Sequence, residues 1–123
     1  MDRTFLLLAA VLGFIGVALG AFGAHGLRGR LTPEMLAVFE TGVRYQMYHV
    51  FALLVVASAI GHLGSARLLV AAGWSFFAGI LLFSGSLYAL AVTNTSILGA
   101  ITPFGGLAFL AGWACLALYA AAR

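Results

Sequence analysis

The chain has 123 residues, of which 64% are hydrophobic and only 7% are charged, and its formal net charge is +3. Soluble domains carry roughly a quarter charged residues, so this composition excludes an ordinary soluble domain. Four membrane spans of ~20 residues each use about 80 residues, which leaves only short connections. All six basic residues are arginines beside apolar runs, a placement that favours lipid headgroups over nucleic acid as partners.

Four apolar stretches predict a single all-α domain, an integral membrane bundle of four transmembrane helices. The predicted spans are residues 5–24, 43–60, 68–92 and 103–122. Thr32, Pro33 and Glu34 predict a helix start, because they supply a hydroxyl N-cap, a proline at the first position and an acid near the positive helix end. From Pro33 the helical pattern continues to about His62, so this helix is longer than a ~30 Å hydrocarbon core requires.

Glycines recur along the predicted helices. In the first span they recur every three or four residues, which aligns them on one side of the helix. Such stripes let two helices approach closely in a membrane. The glycines that we predict at helix contacts are Gly16, Gly20, Gly23, Gly79, Gly85 and Gly112.

The two halves of the chain share a short pattern. Residues 27–33 and 97–103 both read aliphatic, any residue, Gly, any residue, aliphatic, Thr, Pro, and at the same offset Phe39 corresponds to Phe109. This pattern predicts two related, parallel hairpins around an axis along the membrane normal. Chance similarity between Gly- and Ala-rich helices is the alternative. The arginine count places both termini in the cytoplasm, with three on their side and two or three on the other.

The densest group of ionisable and hydroxyl side chains lies at the entrance to the second span. Glu40 and Arg44 are four residues apart with the acid first, the favourable order for a helical ion pair. An unpaired charge at mid-depth in a membrane costs at least ~2.5–3.5 kcal/mol, so we expect pairing or access to water. The predicted polar cluster consists of His25, Glu40, Arg44, Tyr45, Tyr48 and His49.

Three interpretations of this cluster stay open. In the first, Glu40 and Arg44 pair inside the bundle and bond to neighbouring turns and hydroxyl groups, so that Arg44→Ala destabilises the protein. In the second, the cluster is a site for a small solute or a proton, which in so small a bundle needs an oligomer or a groove. In the third, Arg28, Arg30 and Arg44 bind anionic lipid headgroups.

No spacing in the sequence indicates a metal or catalytic site. Zinc sites use three or four ligands, and the chain contains neither an HxxxH nor a CxxC pattern. Ser84 and Ser86 lack the flanks of a GxSxG nucleophile elbow, and bonds from their hydroxyls to helix carbonyls account for them. We therefore predict no enzyme activity, metal or cofactor. The predicted partners are membrane lipids, a second copy of the chain or other membrane proteins.

Several motifs resemble a known family. They are Gly20–Leu27 (GAFGAHGL), Tyr45–His49 (YQMYH), Gly79–Tyr88 (GILLFSGSLY), Thr102–Gly106 (TPFGG) and Gly112-Trp113. With these motifs in this order, the chain resembles the bacterial YgdD-like family, whose eukaryotic relative is transmembrane protein 256 and which is grouped as domain of unknown function 423. The resemblance implies a small four-helix protein of the bacterial cytoplasmic (inner) membrane and brings no agreed activity. We expect a structural or accessory component, with an oligomeric channel or transporter and a lipid-binding protein as alternatives.

Overall fold

The computed structural model describes residues 2–123, and this part of the chain is helical without a β-strand. Its helices are α1 (Asp2–His25), α2 (Pro33–Leu63), α3 (Arg67–Gly79), α4 (Gly85–Thr93) and α5 (Thr102–Ala121). One turn of π-helix, Ile80–Ser84, joins α3 to α4, and a short 3-10 helix, Ser96–Ala100, precedes α5. Helices α3 and α4 are therefore two parts of one span.

The predicted bundle of four membrane-spanning helices is confirmed, since four helical stretches are long and apolar enough to cross a membrane. They are Arg3–His25, Pro33–Leu63, Arg67–Thr93 and Ser96–Ala121. Successive spans run in opposite directions. The connection 64–66 therefore lies with both chain termini at one end of the bundle, which we call the terminal end. The connections 26–32 and 94–101 lie at the other, which we call the turn end.

Local sequence sets both ends of α2. The hydroxyl of Thr32 accepts a hydrogen bond from the backbone N–H of Met35 at 3.1 Å, and Pro33 occupies the first turn, as the sequence predicts. At the other end, Gly64 has a φ of 89°, a conformation that favours glycine, and donates its N–H to the carbonyl of Ile60. With 31 residues, α2 is the longest helix and extends beyond α1 at the turn end.

Helix α1 packs on α2 through its glycines. The contacts that a Cβ on each glycine would make are Gly16 with Met47, Gly20 with Val43 and Gly23 with Phe39. The partner number falls as the glycine number rises, so the two helices run antiparallel in a single register. This register places Glu40 level with the last turn of α1, and Arg44 one helical turn deeper into the bundle.

Helix α5 packs on the third span in the same way. Phe76 and Phe109 cover Gly112 and Gly79, respectively, and the closest approach to the backbone of another helix is at Gly105. A Cβ on Gly105 would lie 2.7 Å from the Cα of Phe83, a backbone atom of the π-helical turn. Backbone cannot rotate away as a side chain can, so only glycine fits this position without moving a helix.

Gly85 is an exception among the glycines predicted at helix contacts. An added Cβ there would meet no atom within 4 Å, so this prediction is wrong. The reason is local, since Gly85 directly follows the π-helical turn and its open side faces no neighbouring helix.

The packing follows the division into two hairpins. Helix α1 packs mainly on α2, and α3 packs mainly on α5. Phe39 covers Gly23 near the end of the span before it, whereas the corresponding Phe109 covers Gly79 near the middle of the span before it. The two hairpins therefore pack in different registers, and the relation between their backbones stays a prediction.

Two apolar clusters fill the bundle. The larger one contains fully buried Leu53, Val56 and Phe76 and extends to the terminal end. The smaller one, at the turn end, is built around Leu27 and Phe39. The buried polar residues of α2 lie between these two clusters.

Candidate functional site

The polar side chains inside the bundle hydrogen-bond from helix to helix. The buried polar residues are Gln46, His49, Ser84 and Ser86. Among the described residues, every buried side-chain nitrogen and oxygen has a hydrogen-bond partner. A buried polar group without a partner is costly in apolar surroundings, and no water replaces the partner in a bilayer core. This complete pairing therefore stabilises one arrangement of the helices.

Gln46 connects three helices. Its side chain is 2% exposed, its Nε2 donates to the carbonyl of Leu12 in α1 at 2.7 Å, and its Oε1 accepts from the hydroxyl of Tyr88 in α4 at 2.6 Å. An amide offers both a donor and an acceptor, so one neutral side chain links α1, α2 and α4. Gln46 is not among the residues predicted from the sequence, although its spacing from Gly42 and His49 places all three on one helix face.

Two serines, one in the π-helical turn and one just after it in α4, supply two further links. The hydroxyl of Ser84, which is fully buried, donates to the carbonyl of Gly42 at 2.7 Å. The hydroxyls of Ser86 and Thr102 share a hydrogen bond of 2.6 Å, which joins α4 to the start of α5. Single π-helical turns inside α-helices occur frequently at functional sites, and this one binds the third span to both of its neighbours.

His49 connects α2 to α5, and its partners define its tautomer. The indole N–H of Trp113 donates to Nε2 of His49 at 3.0 Å, and Nδ1 lies 2.7 Å from the carbonyl of Tyr45. An indole only donates and a carbonyl only accepts, so Nδ1 carries the hydrogen of a neutral ring. The ring also stacks on Phe109, with centroids 3.5 Å apart and planes 6° apart. Both nitrogens are thus occupied, which leaves none for a metal ion or a proton transfer.

An apolar groove lies above His49 on the outside of the bundle, between α2 and α5. Its volume is about 560 Å³, within the range of ~300–1,000 Å³ typical of small-molecule sites. The buried rings of His49 and Phe109 line its base, and exposed Leu107, Leu110 and Trp113 line its edges. We call this feature the α2–α5 groove.

The charged residues of the predicted cluster lie outside the bundle. Glu40 and Arg44 are exposed, and within residues 2–123 neither has a hydrogen bond or an ion pair. The expectation that they pair inside the bundle is therefore wrong. The inward face of α2 carries Gly42 and Gln46, and at 3.6 residues per turn Glu40 and Arg44 point to the opposite side.

The other members of the predicted cluster also separate. His25 is exposed at the end of α1, and Tyr45 and Tyr48 expose 37% and 53% of their surfaces on the outside of α2. His49 is the member that the structure buries, at 5% exposure. The cluster is therefore one interior histidine and a set of outward side chains.

The arginines predicted to bind lipid headgroups are all exposed. Arg28 and Arg30 lie in the connection at the turn end, and Arg44 lies on the outer face of α2. This placement is compatible with headgroup contact, which stays a prediction.

The histidines do not form a metal centre. His25 lies at the turn end and His49 at mid-height. His62 lies near the terminal end, where its Nδ1 is 2.9 Å from the carbonyl of Ser58. In the part of the chain that the structure describes, no group of three His, Cys, Asp or Glu residues is placed to hold a metal ion.

Comparison of the sequence with known proteins assigns the chain to a family. The family model described as "Protein of unknown function (DUF423)" matches residues 19–106. The chain belongs to the DUF423 family. This confirms the family that the sequence motifs indicated. The residues matched by the DUF423 model include Gln46, His49, Ser84 and Tyr88, whereas Trp113 lies beyond them.

Relatives of this DUF423 protein are named as bacterial membrane proteins. UPF0382 membrane protein YwdK of Bacillus subtilis is 52% identical over 111 residues, which cover 90% of each chain. A UPF0382 membrane protein of Haemophilus influenzae is 49% identical over 118 residues, covering 95% of this chain and 93% of the relative. One from Staphylococcus haemolyticus is 46% identical over 114 residues, covering 93% and 92%. No solved structure matches the chain. It is a small membrane protein of a family with no described activity.

Proposed function

We propose that this protein is an accessory component of the membrane, which acts by packing against other membrane molecules. In this proposal it neither catalyses a reaction nor conducts a solute through its own bundle. The supporting observation is the complete pairing of the buried polar groups in the described residues. Catalysis or conduction needs polar groups that can reach a substrate or an ion, and Gln46 and His49 bond to neighbouring helices instead.

A flux assay tests this role. We expect vesicles that contain the wild-type protein or Glu40→Gln to lose a proton gradient at the same rate as protein-free vesicles. A wild-type proton flux that Glu40→Gln abolishes would contradict the accessory role and favour an oligomeric channel. Addition of a protonophore at the end of each run verifies that the vesicles held a gradient.

We place the protein in the bacterial cytoplasmic membrane, with both termini in the cytoplasm. Apolar helical spans support this membrane, because single-chain proteins of the bacterial outer membrane are β-barrels. The terminal end carries Arg3, Arg67 and Arg123, whereas the turn end carries Arg28 and Arg30, with Arg44 inside helix α2 near the same end. Cytoplasmic connections carry the excess of arginine, and the count favours the terminal end when Arg44, which is not in a connection, is left out. A fluorescent protein fused to the C-terminus is expected to fluoresce, and alkaline phosphatase fused there is expected to be inactive. The opposite pair of results would reverse the orientation.

The α2–α5 groove favours a second candidate function, the binding of one apolar lipid chain. Trp113 lines the groove, so its fluorescence reports on occupancy once Trp74→Phe removes the other tryptophan. Lipids with brominated chains are expected to quench Trp113. Gly106→Leu, which extends a side chain into open space at the groove, is expected to weaken this quenching. The control Phe14→Leu, on the exposed face of α1, is expected to leave it unchanged, and equal quenching in all three proteins would reject the site.

A further inference from the structure

The outer face of α2 carries two opposite charges near the turn end of a helix that is long and apolar enough to span a membrane. Glu40 lies level with the last turn of α1, and Arg44 lies one turn deeper, as the contacts of the neighbouring Phe39 and Val43 show. Both charged side chains are exposed, and neither makes a hydrogen bond or an ion pair within the part of the chain that the structure describes. Charged side chains in membrane spans pair with one another or with backbone carbonyls, and they rarely face lipid. These two therefore need a partner outside the described chain.

The exposed face continues from the charges along the same helix. Tyr48, Phe51 and Val55 expose 53%, 60% and 56% of their surfaces. Arg44 and Phe51 are separated by one heptad, as are Tyr48 and Val55, which is the repeat along which two helices pack in a left-handed coil. Exposed apolar side chains are also suited to lipid, so the apolar part of this face does not distinguish a lipid from a protein partner. The two charges provide that distinction.

We propose that this face binds the same face of a second copy of the chain, with Glu40 of each copy paired to Arg44 of the other. Copies inserted in the same direction are related by a two-fold axis along the membrane normal, so their α2 helices run parallel. Helical side chains lean toward the N-terminus, and because arginine is longer than glutamate, the end of Arg44 reaches further in that direction, toward the depth of the partner's Glu40. Because the two copies are related by a two-fold axis, the two ion pairs are equivalent and form together.

The charge pattern favours a second copy over a lipid headgroup. An anionic phosphate would neutralise Arg44 but would leave Glu40 unpaired. A second copy neutralises both charges, because an acid and a base one turn apart make the face complementary to itself. This inference rests on the proposed accessory role and names a partner for it.

Two charge reversals test the pairing. Glu40→Arg leaves two bases on the face, and Arg44→Glu leaves two acids. Energy transfer between donor- and acceptor-labelled copies, diluted in vesicles of neutral phosphatidylcholine, measures association. Each reversal alone is expected to weaken self-association at least about tenfold, because like charges then face each other. Donor-labelled Glu40→Arg mixed with acceptor-labelled Arg44→Glu is expected to recover transfer, because every base now faces an acid.

Failure of this mixture to recover, with both variants folded by their melting temperatures, would overturn the proposal. Recovery would exclude an ion pair within one helix as the cause, since neither variant contains both charges. If a reversal prevents folding, Glu40→Gln and Arg44→Gln replace it. Each is expected to weaken transfer, and wild-type transfer in both would overturn the proposal. The control Phe14→Ala alters a side chain of α1 that is 78% exposed and is expected to keep wild-type transfer.

Vesicles that contain anionic lipid distinguish a lipid headgroup from a second copy of the chain as the partner. If wild-type copies show no transfer in neutral vesicles, the proposal is overturned. If in addition labelled phosphatidylserine is enriched around the wild-type protein in mixed vesicles but not around Arg44→Glu, a lipid headgroup is the partner. These outcomes do not depend on proton flux. A failed pairing would leave the accessory role intact, whereas a flux removed by Glu40→Gln would overturn that role whatever the state of association.

Discussion

The two faces of α2 accommodate polar side chains in opposite ways. The inner face carries neutral Gln46 and His49, which are 2% and 5% exposed and hydrogen-bonded within the chain. The outer face carries Glu40 and Arg44, which are charged and without a partner in the described residues. Burying an ion costs far more than burying an amide that keeps its hydrogen bonds. The interior of this bundle therefore uses the polar groups that neighbouring helices satisfy completely.

The largest effect on stability is expected at an inner contact. Gly105→Ala should destabilise the protein by about 1–3 kcal/mol, because the new Cβ overlaps the backbone of Phe83. Gly106→Ala, at the next position of α5, meets open space and should be neutral or slightly stabilising, by up to ~1 kcal/mol. Unfolding of both variants in detergent measures the difference. Equal effects would show that inner and outer positions of α5 are not distinguished as the structure has them.

A smaller effect is expected at the bond between Gln46 and Tyr88. Gln46→Leu and Tyr88→Phe should each destabilise the protein by about 1 kcal/mol, within the range measured for hydrogen bonds between membrane helices. The double variant should cost less than the sum, because it leaves neither partner unpaired. A double-mutant cycle of unfolding free energies measures this coupling. If the losses of unfolding free energy in the two single variants add up exactly in the double variant, Gln46 and Tyr88 do not interact.

The smallest effect is expected on the outer face. Arg44→Ala should change the stability of the monomer by less than ~0.5 kcal/mol in detergent, since the side chain contacts no partner within the described chain. This reverses the expectation drawn from the sequence. Thermal unfolding at a dilution that separates the copies is the measurement. A loss of stability as large as that of Gln46→Leu would show that Arg44 makes a stabilising contact within the bundle, and would contradict the contrast between the two faces.

Much of the fold could be predicted because its signals are local. Composition and length indicate four spans, and the cap formed by Thr32 and Pro33 marks the start of α2. The π-helical turn Ile80–Ser84 could not be predicted, since it lies in a stretch without a proline or charge. Its presence depends on the fit of the third span to two neighbouring helices.

The site was harder to predict, because the spacing along one helix does not say which side faces the bundle. Glu40 and Arg44 had the right separation for an ion pair but lie on the outer side. Gly42 could have indicated the inner side of α2. A glycine allows close approach of a neighbouring helix, and Gly42 lies on the same face as Gln46. The bond between His49 and Trp113 joins residues far apart in the chain, and no local pattern announces it.

The π-helical turn also changes the geometry of the whole third span. Each residue of an α-helix rotates the chain by about 100°, so a wider turn shifts the phase of everything that follows it. Helix α3 accordingly packs mainly on α5, and α4 packs mainly on α2. The two halves of this one membrane span therefore direct their packing faces toward different neighbouring helices. The number of residues between Gly79 and Gly85 is therefore a more stringent requirement than the identity of most side chains along that crossing.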